Sequence, residues 1–349
     1  MKTLKFIHLI GFIALFSLIS CNKEYITNEY ITNEYYTNEY YYDGKFFITE
    51  QEEITKDICP PFLQKGDTVA IFAASNAVSK SEVKNGIEKL ESWGLNVITA
   101  DNLYLQNGRY AGELHDRINA LQKLLDNPNV KALISARGGY GAAQVLPYID
   151  FDKFTKNPKW IVGYSDVTAI HAAVNNMGIE TIHGPMAYKL THANSVESLR
   201  KALFGELSSY SISTNSNCIV GSGEGRLVGG NLSIIYSLGG TIFDLNTQNA
   251  ILFIEDTNES NYHIDRMMTN LKLSGKLDCL KGVIIGSFTN MTQGSDLPIN
   301  EIMKDKLESL GIPVVYGINI GHDTENLALY FGKTVKIDVN NDKATITYK

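Results

Sequence analysis

Apolar residues cluster in short runs along the first half of this chain. Residues 67–73, Asp-Thr-Val-Ala-Ile-Phe-Ala, form one such run. Residues 95–98, Leu133-Ile134 and Ile161-Val162 supply others. Runs of this length without alternation read as strands covered on both faces. Between them, residues 80–93 place Ile87, Leu90 and Trp93 on one helical face, and residues 116–125 read as a second helix. Strands alternating with helices predict a parallel sheet with helices on both faces, here over residues 62–191. Beyond a linker at 192–218 the pattern changes. Strands at 250–254, 282–285, 335–338 and 344–347, with a helix at 262–273, predict a mixed α/β domain over 219–349.

The amino terminus follows neither pattern. Lys2 and Lys5 precede an apolar run at 6–19 that is short for a bilayer span and reads as a signal segment. It closes on Leu18-Ile19-Ser20-Cys21, which resembles a bacterial lipobox, so residues 1–21 are expected to be a lipoprotein signal with Cys21 lipidated. Four five-residue repeats follow at 24–43, reading EYITN, EYITN, EYYTN and EYYYD. A period of five fits neither strand nor helix, so 22–61 is expected to be a tether. Its tyrosines would alternatively offer a strip that binds sugars.

Composition narrows the function. The chain has 349 residues, 44% hydrophobic and 20% charged, as in an ordinary globular enzyme. The net charge of −7 leaves no basic footprint for nucleic acid. Neither a GxxxxGK[ST] loop nor an HExxH pair occurs, so no metal or cofactor is expected.

The chemistry points to Gly163-Tyr164-Ser165-Asp166-Val167-Thr168, set between a strand and the apolar segment 169–174. A serine on such a turn has its hydroxyl lifted from the sheet, with the amides of the following helix aimed at its target. The plainer reading is an N-cap, because Ser and Asp both cap helices well. Upstream, Arg137-Gly138-Gly139-Tyr140-Gly141 ends another strand, where free amides can form an oxyanion hole. Downstream stand His183-Gly184-Pro185-Met186, Gly229-Gly230-Asn231-Leu232, Ile254-Glu255-Asp256 and Gly321-His322.

Taken together, these motifs resemble the LD-carboxypeptidase family of serine peptidases, which also contains the microcin-immunity peptidases. The resemblance covers residues 62–349. It implies Ser165 as nucleophile, His322 as base and Glu255 as the carboxylate that orients the histidine, with Asp256 and Glu259 as nearby rivals. It also implies an oxyanion hole from the amides of Asp166 and Gly139, and a homodimer. Ser165 then lies in one domain and Glu255 and His322 in the other, so the site is expected in the cleft between them. Arg137 would read a terminal carboxylate, or would pin the glycine turn. The implied reaction is hydrolysis of the LD bond before a terminal D-alanine in murein peptides, by an anchored lipoprotein facing the periplasm or cell surface. The alternatives are a microcin-type peptidase or amidase acting on a peptidyl conjugate, and a surface-binding lipoprotein without turnover.

Overall fold

The computed structural model describes residue 54 and residues 56–349. The signal segment, Cys21 and the repeats lie outside the described residues. The first sheet contains β1 (Thr68–Phe72), β2 (Asn96–Thr99), β3 (Val130–Ser135), β4 (Trp160–Gly163) and β5 (Thr181–His183), all parallel, in the order β5-β4-β3-β1-β2. Helices α1 (Lys80–Ser92), α2 (Leu114–Asp126), α3 (Ala142–Val145), α4 (Asp152–Lys156) and α5 (Thr168–Asn176) are interleaved with them. Alternate residues of β1 enter different cores: Ala70 and Phe72 one, Val69 and Ile71 the other. Both faces of the sheet are therefore covered, which is why its strands read as apolar runs. A capping box starts α1, with Ser79 and Glu82 satisfying each other's amides.

The stretch expected to be a linker is structured. It carries α6 (Ala193–Leu203), whose Leu199, Ala202 and Leu203 are fully buried, and β6 (Ser209–Ser213). The body also starts before residue 62. The Ile58 amide donates to Gly178 O at 2.8 Å, and Trp160 Nε1 donates to Pro61 O at 3.1 Å.

The second sheet is mixed. Its parallel part is β7 (Gly221–Asn231), β8 (Ala250–Thr257), β9 (Gly282–Thr289) and β10 (Val314–Gly321). With them run α7 (Leu232–Leu238), α8 (Asn261–Leu273) and α9 (Ile299–Leu307). After β10 the chain crosses back. The short strand β11 (Leu329–Phe331) pairs antiparallel with β5, and so completes the first sheet. It then returns as β12 (Thr334–Val339) and β13 (Lys343–Tyr348), which pair antiparallel between β7 and β6. No helix of the described residues is long and apolar enough to cross a membrane.

Candidate active site

Three carboxyl-terminal strand ends meet at the site. Strand β4 ends at Gly163, and Ser165 opens a 3-10 turn, Ser165–Val167, that runs into α5. Ser165 has φ 62°, in the left-handed region. Among the described residues, the other non-glycine positions there, Asn249, Asn258 and Asn290, are all asparagines, which tolerate it well. A serine so held stores on the order of 1–3 kcal/mol of strain and is pushed out of the sheet. The turn needs Gly163, because a Cβ there would stand 2.7 Å from Val167 Cγ2.

Glu255 lies near the end of β8, and His322 directly follows β10. Ser165 Oγ is 3.0 Å from His322 Nε2, and His322 Nδ1 is 2.7 Å from Glu255 Oε2. The same carboxylate oxygen accepts the His322 backbone amide at 3.0 Å. Glu255 is fully buried, and the imidazole is 17% exposed. A carboxylate at Nδ1 keeps the proton there, which leaves Nε2 free to accept from the serine hydroxyl. The Tyr164 ring packs edge-on against the imidazole at 4.8 Å between centroids.

The Arg137–Gly141 loop comes close to the serine: a Cβ on Gly138 would be 3.0 Å from Ser165 Oγ. Among the described residues, no backbone carbonyl accepts from the Gly138 or Gly139 amide. Asp166 plays a second part through its carboxylate. It accepts Ser75 Oγ at 2.5 Å and the Ala142 amide at 2.8 Å, which fastens the loop to the nucleophile turn. Burial pushes the Asp166 pKa up, against these hydrogen bonds. Arg137 opens the same loop. Its Nη1 pairs with Glu82 Oε1 at 3.0 Å, and its guanidinium lies 5.4 Å from the Tyr188 ring centroid.

Some residues carry weight that their motifs did not disclose. Asn231, from GGNL, donates its amide to Glu255 Oε1 at 3.3 Å and to Asp256 Oδ1 at 2.9 Å. The strand register aligns Asn231 with Glu255, so the pairing follows from β7 lying beside β8. Asn326 accepts the Gly321 amide at 2.8 Å and so fixes the turn that carries His322. His183 is buried beside Phe253 and Phe331, and burial holds its pKa well below the usual range. His171 bonds the Gly163 carbonyl at 2.9 Å. Both are structural. Among the described residues, no group of three or more His, Cys, Asp and Glu side chains is placed to hold a metal.

Known proteins resemble this chain along most of its length. Residues 69–184 match the model of the LD-carboxypeptidase N-terminal domain, and residues 224–337 match that of the C-terminal domain. The chain is 34% identical over 298 residues to a probable murein peptide carboxypeptidase of Bacillus subtilis, covering 82% of this chain and 93% of that protein. Among solved structures, muramoyltetrapeptide carboxypeptidase from Oxalobacter formigenes superposes with a TM-score of 0.73 at 27% identity, over 80% of this chain and 98% of that one. MccF in complex with glutamyl sulfamoyl guanosine gives 0.74 at 26% identity, over 82% and 98%.

Proposed function

We propose, from the premise that the chain belongs to the LD-carboxypeptidase family and is a serine-type carboxypeptidase, that it hydrolyses the bond before a terminal D-alanine in murein peptides. Ser165, His322 and Glu255 are its catalytic residues in this reading. The observation that carries it is the unbroken hydrogen-bonded line from a strained serine through His322 to a buried carboxylate.

The steps follow from those contacts. Ser165 Oγ attacks the scissile carbonyl carbon as its proton passes to His322 Nε2. Glu255 keeps the Nδ1 proton in place and balances the imidazolium charge. The amides of Gly139 and Asp166 receive the oxyanion. The imidazolium then returns its proton to the leaving amine, D-alanine departs, and water hydrolyses the acyl-enzyme by the same route in reverse.

Purified full-length protein incubated with murein tetrapeptide should release D-alanine. Ser165→Ala should lower kcat by roughly 10⁴-fold or more with an unchanged circular dichroism spectrum. Turnover within about tenfold of wild type in that variant would overturn the assignment. The likeness to MccF supports a second reading, a peptidase or amidase for peptidyl conjugates. Preferential cleavage of an aminoacyl sulfamoyl nucleoside over the tetrapeptide would favour it.

Export completes the proposal. Lipidation at Cys21, after its lipobox, would anchor the enzyme where cell-wall fragments are found. Membrane fractions should hold the protein until detergent is added. A wholly soluble protein with residues 1–21 still attached would refute this.

A further inference from the structure

A cavity of about 450 Å³ opens beside the catalytic histidine. Tyr164, Lys189, Thr289, His322, Asp323 and Asn326 are among its walls, whereas Ser165 and Arg137 are not. We propose that Lys189, together with the side-chain amide of Asn326, holds the free terminal carboxylate of the substrate in this cavity. The inference rests on the hydrolase reading above, which fixes the side on which the terminal residue lies.

In that reading His322 protonates the leaving amine, so the departing residue must lie against the imidazole. The imidazole stands in the cavity's wall, so a residue departing from it can enter the cavity. A carboxypeptidase's departing residue carries a carboxylate, and the cavity supplies two groups for it.

The first is Lys189, the only lysine or arginine in the lining among the described residues. No acidic side chain pairs with it among the described residues, and its Nζ lies 5.7 Å from the Tyr188 ring centroid. Asp323 shares the wall, where its oxygens accept the Thr324 amide at 2.6 Å and Ser287 Oγ at 3.4 Å rather than Lys189. The second is Asn326, which is 5% exposed. Its Oδ1 is taken by the Gly321 amide, which fixes the orientation of the side chain. Its Nδ2 is buried without a partner. An unpaired buried donor is unfavourable, and a carboxylate oxygen would satisfy it. Arg137, the cation suggested by its place beside the glycine turn, is instead engaged by Glu82.

Binding can be read without turnover on the full-length Ser165→Ala protein by calorimetry, with murein tetrapeptide as the free acid and as its C-terminal amide. The acid should bind roughly 10–100-fold more tightly, the range for a hydrogen bond to a charged group. Adding Lys189→Met should abolish that preference while the amide's affinity holds, and Lys189→Arg should retain most of it. Adding Arg137→Met should leave the preference in place. An unchanged preference in the Lys189→Met protein, no preference at the outset, or its loss with Arg137→Met instead would overturn the proposal. Release of D-alanine by wild type is scored separately, so a failed hydrolase reading and a failed carboxylate site give different results.

Discussion

Glu255 and Asp256 are adjacent in the chain, and the fold gives them different tasks. Glu255 faces His322. Asp256 accepts the Ser233 amide at 2.9 Å and Ser233 Oγ at 2.8 Å, in the first turn of α7. Burial, with the neighbouring Glu255 adding to it, pushes the Asp256 carboxyl up to about 6. Glu259, the third acid nearby, is tied to His263 and Ser233. One residue-level comparison separates these roles. Glu255→Gln should keep the fold and lower kcat by about 10³–10⁴-fold, through loss of the tautomer and of charge balance. Asp256→Asn should instead cost about 0.5–2 kcal/mol of stability, as for a lost helix cap, with kcat within about tenfold. Kinetics and urea unfolding of both variants check this. A dead Asp256→Asn with an active Glu255→Gln would reverse the assignment.

The functional element is β4, its turn and α5 taken as one piece. Gly163 ends the strand, Val167 packs directly over it, and His171 one turn later bonds the Gly163 carbonyl. Burial lowers the His171 pKa to about 4, so the ring stays neutral in its hydrogen bond at physiological pH. Thr168 Oγ1, at the start of α5, accepts the Asn231 amide at 3.0 Å, which ties the nucleophile's helix to β7 of the other sheet. The serine's position is therefore set by packing beneath it. Gly163→Ala should overpack the turn, with a loss of roughly 1–3 kcal/mol in unfolding free energy. It should also lower kcat more than it changes KM, because Ser165 moves relative to His322. Unfolding midpoints and Michaelis parameters unchanged from wild type would show that the turn absorbs a methyl group.

At the scale of the molecule, β11 joins the two halves, since a strand from the second half closes the first sheet beside β5. An ion pair lies next to this junction: Lys333 Nζ, between β11 and β12, is 3.2 Å from Glu180 Oε1. Glu180 is 1% exposed, and its burial outweighs the attraction of Lys333, raising its pKa from 4.5 to about 7. The raised value means that the folded protein keeps this proton longer than the unfolded chain does. Its contribution to stability should therefore be greatest below about pH 4.5, fall as pH rises to about 7, and level off above. At 1.36 kcal/mol per pH unit the fall attributable to this group is up to roughly 3 kcal/mol. Glu180→Gln should flatten that part of the curve. Urea unfolding of both proteins between pH 5 and 8 reads the difference, and parallel curves would refute it.

The sequence determined much of this by local means. Doubly covered strands declare themselves as apolar runs, so β1, β3, β4 and the parallel-sheet fold were legible. A serine at a strand-to-helix turn is a local feature too, and so were the glycine loop, the acid at the end of the apolar run of β8 and the late Gly-His. Residues 192–218 read as a linker because α6 buries two serines, Ser195 and Ser198, on its core face and β6 alternates on a sheet edge, patterns that a polar connection also shows. β11 was not legible, since three residues carry no period and their partner β5 lies far away in sequence. The tertiary structure alone decided which of two adjacent acids faces His322, and that Asn231 bridges them, because both depend on strand register. It alone engaged Arg137 with Glu82 and set Lys189 in the cavity wall. Those are contacts between side chains distant in the chain, and no local pattern encodes them.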